Sequence, residues 1–252
     1  MKTIKSIAAL LLCLFTMGLL SCSQKPKTYS FSVSSSKKVV FAPGNLQYQA
    51  STNSWRFAAN QYDIIGTGNN NISSTYNGWI DLFGWGTGDC PTKTSTKSSD
   101  YPSFTDWGVN QIGEDAPGTW RTLTINEWAY LLAIHDEAPA RVGGIDGLMI
   151  FPQKFKSPSG ISIDYFATNY KTNVYSLSKW EKLEALGVVF LPEAGNRFEN
   201  FWFDQGGYYW SSSTDGTIYY DARHLFFYQL DHETHGNGSR RDAMAVRLVK
   251  DV

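Results

Sequence analysis

The stretch that most limits what this chain can fold into is its last one, Gly206 to Val249. Gly207-Tyr208-Tyr209-Trp210-Ser211 is short and aromatic, Thr214-Asp215-Gly216 is a turn signal, Ile218 to Leu230 is a long aromatic run, and Ala243 to Val249 is apolar. Between the last two, His232 to Arg241 is rich in Gly, Asn, His and Arg and reads as a loop. Aromatic and β-branched side chains suit a pleated, half-buried surface, and Gly, Asp and Asn clusters punctuate it. The pattern therefore predicts three antiparallel strands. Earlier segments then supply helices and edges that pack on this sheet, and its loops are where a binding surface is expected.

The opposite end carries an address. Met1-Lys2-Thr3-Ile4-Lys5 is a positive lead, and Ile7 to Leu20 is an apolar run too short and wrongly flanked to span a bilayer. Its end, Leu19-Leu20-Ser21-Cys22, resembles the lipobox of bacterial lipoproteins. That resemblance implies cleavage before Cys22 and diacylglycerol on its sulfur; an ordinary secretory signal is the alternative. Several acyl chains on one cysteine make a stable anchor, since each buried methylene is worth about 0.8 kcal/mol. Ser23 resembles the residue that sorts lipoproteins to the outer membrane. The tether from Gln24 to Thr28 lacks the acidic run that sends some lipoproteins to the cell surface, so the periplasmic and surface faces both stay open. The expected boundaries are 1–21 for the signal peptide and 22–36 for the lipidated cysteine and tether. Residues 37–252 are expected to form one domain that includes an N-terminal hairpin.

Without the leader roughly 230 residues remain, enough for one sizeable core or two small ones. Lys and Arg number 22 against 23 Asp and Glu, and losing Lys2 and Lys5 leaves the chain slightly acidic, so there is no electrostatic footprint for nucleic acid. Cys13 leaves with the signal and Cys22 takes lipid, so Cys90 is left without an intramolecular partner and stability has to come from the core. Aromatic residues make up 15% of the chain, which suits a β-rich secreted domain and also recognition by stacking.

Along the chain, Tyr29 to Val33 reads as a first strand. Lys37 to Gln49 and Trp55 to Ile65 read as a hairpin around Ala50–Ser54, broken at Pro43-Gly44. Gly66 to Pro117, rich in Gly, Asn, Ser, Thr and Asp, reads as a folded insertion pinned by Trp79, Phe83, Trp85, Tyr101, Phe104 and Trp107. Two capped helices follow. Thr124 with Glu127 and Ser178 with Glu181 both match a capping box, and Trp128, Leu131 and Leu132 in one, Trp180, Leu183 and Leu186 in the other, form the buried stripes. Each helix leads to a short apolar strand that runs from Gly to Pro, Gly147–Pro152 and Gly187–Pro192.

This order of elements resembles the C-type-lectin-like domains of the formylglycine-generating-enzyme-like family, the major paralogous domain of bacterial lipoproteins. The matching pieces are Trp120-Arg121-Thr122-Leu123-Thr124, Glu127-Trp128, the two Gly-to-Pro strands and Gly207-Tyr208-Tyr209-Trp210-Ser211-Ser212. Ala222, Leu225 and Phe227 match further on, as do Arg240, Ala243, Ala245, Val246 and Arg247, with Ala243 and Ala245 standing where the family usually has Gly and Ser. The resemblance spans Trp120 to Val249 and implies an α+β, C-type-lectin-like fold, with two helices on antiparallel sheets and a long irregular Gly/Asn-rich insertion. It is specific for fold and says little about function, because one fold hosts many jobs.

Several chemistries can be weighed. The formylglycine-generating activity needs cysteines near the C-terminal end, and none follows Cys90. The calcium-dependent sugar motifs of lectins, Glu-Pro-Asn or Gln-Pro-Asp with Trp-Asn-Asp, do not occur. A structural calcium remains open through Asp81, Asp89, Asp100, Asp106, Glu114 and Asp115, against ordinary turn and capping roles; no other cofactor is expected. His232 and His235 could hold a transition metal but sit in the predicted loop, where solvated histidines are the commoner outcome. No nucleophile elbow surrounds Ser211–Ser213.

What remains is an aromatic and polar face. With Ala222, Leu225 and Phe227 inward, His224, Phe226 and Tyr228 point the other way. The candidate ligand-binding residues are Trp202, Tyr219, Tyr220, Asp221, Arg223, His224, Tyr228, Arg240 and Arg241, a Tyr/Arg-rich mix of the kind enriched at recognition surfaces. Asn196, Arg197 and Asn200 border them. The expectation is a lipid-anchored outer-membrane, non-catalytic protein that recognises a protein or glycan through the C-terminal sheet loops, with the membrane as its other partner. A structural subunit of a cell-envelope assembly, or an enzyme of unrecognised type, is the alternative.

Overall fold

The computed structural model describes residues 29–216, 218–229 and 231–252; the leader, Cys22 and the tether up to Thr28 lie outside them. β1 (Phe31–Ser32) turns into β2 (Lys38–Phe41), which Pro43-Gly44 ends. β3 (Leu46–Gln49) then pairs antiparallel with β4 (Ser54–Phe57) around a short turn with Asn53 in the left-handed region. The arm read as one strand is thus two strands that serve different sheets.

Residues 66–117 are irregular, as the composition predicts, apart from β5 (Trp79–Ile80), β6 (Leu82–Phe83) and short 3-10 turns. Next comes α1 (Ile125–Ile134). Its capping box is complete: the Thr124 hydroxyl accepts from the Glu127 N–H at 3.2 Å, and Glu127 Oε2 accepts from the Thr124 N–H at 2.9 Å. β7 (Glu137–Val142), which the sequence reading missed, forms a hairpin with β8 (Ile145–Ile150) around Gly143 and Gly144, both at positive φ.

β9 (Val174–Tyr175) precedes α2 (Leu177–Glu184), and the second capping box does not form. The N-cap is Ser176, because the Lys179 and Trp180 N–H groups already donate to its carbonyl and the helix therefore starts two residues earlier than expected. Strands β10 (Val189–Pro192), β11 (Asn196–Phe198), β12 (Phe201–Phe203), β13 (Gly207–Thr214), β14 (Asp221–Tyr228), β15 (Asp231–Ser239), β16 (Met244–Ala245) and β17 (Val249–Asp251) complete the chain.

The architecture is α+β, with a five-stranded terminal sheet in the order β15-β14-β13-β16-β6. Two expectations for this stretch are corrected. The predicted loop His232–Arg241 is mostly β15, an edge strand paired antiparallel with β14. It was misread because an edge strand made of polar residues and glycine carries no apolar alternation, and that same composition protects the edge from pairing with another chain. The predicted last strand is two, β16 and β17, interrupted where Arg247 turns inward. Its guanidinium is buried and donates to Asn45 Oδ1 at 3.0 Å and to the Phe190 carbonyl at 3.0 Å, with longer bonds to Ala42 and Gln61. Burial among neutral oxygens pushes its pKa down to about 10, which leaves it charged at neutral pH. It fastens the N-terminal hairpin and β10 to the end of the chain, and β17 itself pairs with β2.

Both faces of the terminal sheet are packed in its middle. On one, Tyr209, Leu225, Phe227 and Ala245 meet Trp128, Leu131 and Leu132 of α1. On the other, Trp210, Ala222 and Met244 meet Phe83, Trp85 and Trp107 of the irregular segment. Two indoles lock this second layer reciprocally: Trp85 Nε1 donates to the Ser211 carbonyl at 3.0 Å and Trp210 Nε1 to the Phe83 carbonyl at 2.7 Å. A further cluster joins α2, through Trp180 and Leu183, to β7, β8 and β10.

Candidate functional site at the ends of the terminal sheet

The nine predicted residues do not converge on one site. Alternation along β14 sets Ala222, His224, Phe226 and Tyr228 on one face and Arg223, Leu225 and Phe227 on the other. Ala222 therefore faces the irregular segment and not the core beneath α1, a correction to the expected register. Eight residues of strand reach about 25 Å, so Tyr219 and Tyr228 belong to opposite ends of the sheet.

The middle is covered. His224 is only 5% exposed, wedged against Trp210 and Tyr208 with ring centroids 5.9 and 5.8 Å away. The edge strand crosses above it at Gly236 and Gly238, where an added Cβ would lie 2.7 Å from His224 Nε2 and 3.1 Å from His224 Nδ1. Burial, helped by the Arg223 charge, pushes the His224 pKa down to about 4, so the ring is neutral at physiological pH. Arg240 is equally buried: its guanidinium stacks 4.5 Å above Trp85, Nη1 donates to the Tyr101 and Pro102 carbonyls at 3.2 Å each, and Nε reaches the Asp221 carbonyl at 3.3 Å. The outward roles expected of His224 and Arg240 are therefore corrected. The edge strand lies over His224 and the irregular segment over Arg240, so both side chains act inside the fold.

Arg241 is half-buried, stacked over Phe198 and donating to the Thr96 carbonyl. Trp202 is half-buried against the α1-side core, and its indole N–H donates to the Ala194 carbonyl at 2.8 Å. Arg197, expected at the border, is buried in the same region, where its main chain exchanges hydrogen bonds with Ala243.

At the first end the predicted residues do meet solvent. Tyr219 is 75% exposed and packs edge-on against Tyr220 at 4.8 Å, with Ile218 also exposed beside them. Asp221 and Arg223 are half-buried behind this turn. Arg223 pairs with buried Asp215 at 2.9 Å and donates to the His235 carbonyl at 2.7 Å. Asp215 also accepts from the Ile218 N–H at 2.7 Å, which sets the start of the turn.

At the second end Tyr228 is exposed over a cleft of about 240 Å³ that sequence reasoning missed. Its walls include the Arg141–Asp146 ion pair at 2.5 Å, Lys171, Glu193 and the buried Tyr170. The Tyr170 hydroxyl donates to Glu193 Oε1 at 2.9 Å and accepts from the Gln229 N–H at 2.6 Å. Burial raises the pKa of both Glu193 and Tyr170. The one local trace of this site is Gln229 in the left-handed region, which the sequence does not announce.

Among the described residues, no three His, Cys, Asp or Glu side chains are grouped to hold a metal ion. His232 Nδ1 lies 2.9 Å from Glu137 Oε1 and His235 Nδ1 3.2 Å from the Thr234 hydroxyl. Asp81 is buried and accepts from Asn69 Nδ2 at 2.8 Å and the Ile65 N–H at 2.9 Å; Asp106 caps Gly108 and Thr122, and Asp115 accepts from the Trp120 indole. The Cys90 thiol is pushed up by burial and the neighbouring Asp89, which disfavours a thiolate nucleophile. No helix among the described residues is long and apolar enough to cross a membrane. No protein-family model, no curated protein and no solved structure matches the chain.

Proposed function

We propose that this chain is a lipid-anchored outer-membrane protein of C-type-lectin-like fold that binds a protein or glycan without catalysing a reaction, through the loops at the ends of its terminal sheet. The lipobox at Leu19–Cys22 supports the anchor, and the succession of hairpin, capped helix, Gly-to-Pro strands and terminal sheet supports the fold. The observation that carries the binding reading is the turn Ile218-Tyr219-Tyr220. It holds three large side chains in solvent although Leu225 and Phe227 of the same run are buried. Aromatic side chains so placed are typical anchors of recognition surfaces.

The test is to screen the full-length chain in detergent against glycan and envelope-protein arrays. Reproducible hits carried by this turn are expected to vanish in the double variant Tyr219→Ala, Tyr220→Ala at unchanged thermal stability. Hits that survive both this variant and Tyr228→Ala, or no hits at all, count against the reading. The anchor is checked by acyl-chain labelling, which Cys22→Ala abolishes. One observation favours the second reading, an accessory subunit of an envelope assembly: the chain's own irregular segment already covers the outward face of the sheet. A stoichiometric partner that co-purifies regardless of Tyr219 and Tyr220 would support it.

A further inference from the structure

The cleft beneath Tyr228 is assembled from five segments far apart in the chain: the β7–β8 hairpin, the loop carrying Tyr170 and Lys171, the residues after β10, the approach to β13 and the turn after β14. Its floor is fixed. Tyr170 is held between Glu193 and the Gln229 N–H, and Glu193 Oε1 also accepts from the Gly206 N–H at 3.2 Å. The polar groups left over in the lining are a matched set. Among the described residues, Glu193 Oε2 accepts no hydrogen bond, and Arg141 spends Nε and Nη2 on Asp146 while Nη1 makes none. Lys171 stands exposed at the rim.

Two cations, Arg141 and Lys171, face two carboxylates, Asp146 and Glu193, so the lining selects neither an anion nor a cation. A carboxylate oxygen and a guanidinium N–H lining one cleft suit a molecule whose neighbouring groups each donate and accept, as hydroxyls do. The Tyr228 ring, set edge-on to Tyr170 at 6.5 Å, adds an apolar platform at the mouth. The cleft is smaller than the roughly 300–1,000 Å³ of pockets for drug-sized ligands, which suits one ring with the rest of its chain outside.

From this geometry we infer that the cleft is a subsite for a single neutral sugar ring, its adjacent hydroxyls bridging Glu193 and Arg141 and its apolar face against Tyr228. This rests on the binding reading above and narrows its ligand at this end of the sheet to a glycan.

The experiment titrates the full-length chain in detergent with glucose, galactose and mannose by NMR and calorimetry, beside an array of neutral, sialylated and sulfated oligosaccharides. At least one neutral sugar is expected to bind and to perturb Tyr228 and Gln229. Tyr228→Ala should weaken it about tenfold while Tyr228→Phe retains it. Glu193→Gln should weaken it as well, with near-ultraviolet circular dichroism confirming the native fold of each variant. The inference is overturned if no neutral sugar binds, if acidic glycans bind in preference, or if binding is indifferent to Tyr228→Ala. Protein or glycan hits that depend on Tyr219 and Tyr220 but not on Tyr228 would sink the subsite and leave the broader reading standing. Silence on every array would remove both.

Discussion

Over the middle of β14, His224 lies beneath the edge strand and Arg240 beneath the irregular segment, while at the two ends of the same strand Tyr219, Tyr220 and Tyr228 stand in solvent. Both regions come from one run of aromatic and basic residues, and nothing in their composition separates them. What separates them is cover. The Trp85 and Trp210 indoles clamp residues 84–107 across the centre of the sheet, and the clamp stops short of both ends. Arginine and tyrosine therefore mark a recognition surface only where no other part of the chain has claimed them. The two ends also differ from each other: one is a convex turn, the other a polar cleft.

The largest expected effect breaks the cover itself. Trp85→Ala removes a buried indole, its hydrogen bond to Ser211 and the platform under Arg240, and should cost about 3–5 kcal/mol in urea unfolding. Stability unchanged within about 0.5 kcal/mol would mean that the segment does not hold the sheet.

Next comes the pH dependence of the covered face. His224 has a folded pKa near 4 against 6.5 unfolded, so the unfolded chain binds more protons between these values. The contribution is complete above pH 6.5 and is lost as pH falls towards 4, about 3 kcal/mol in all. Asp81 acts with the opposite sign: burial raises it from 3.8 to about 6, so its contribution is present at low pH and is lost as pH rises through 6. Wild-type stability should consequently change little across this window from these two groups. The difference between wild type and His224→Gln should shrink by about 3 kcal/mol from neutral pH to pH 4. A constant difference would place His224 in solvent.

Gly236→Ala should cost about 1–3 kcal/mol, because its methyl group meets an imidazole that Trp210 and Tyr208 prevent from moving away. A neutral outcome in thermal unfolding would show that the edge strand is loose over His224. The smallest effect on stability belongs to the open end: Tyr219→Ala should shift unfolding by less than about 0.5 kcal/mol. It sharpens the comparison only together with the array, where its loss should be plain.

Much of the fold was legible where local chemistry decides. Thr124 and Glu127 fix the start of α1 through bonds inside one turn, and Pro43-Gly44 ends β2 whatever surrounds it. Legibility failed where the partner is remote. The same capping pattern at Ser178 gave way to Ser176, and polar β15 is a strand only because β14 offers it a ladder. The site behaves likewise. The candidate residues Tyr219, Tyr220 and Tyr228 stand in solvent, whereas Arg141, Tyr170 and Glu193 carry no shared motif and become neighbours only on folding.

Sequence alone settled the α+β class, the irregular character of 66–117 and the first helix cap, since each depends on side-chain pattern or on contacts within a few residues. Tertiary structure decided which arginines are internal, where the cover over the sheet ends and where the cleft opens. Those outcomes turn on desolvation and on hydrogen bonds between residues more than a hundred positions apart, such as Arg240 to Tyr101 and Arg247 to Asn45, and no local pattern encodes them.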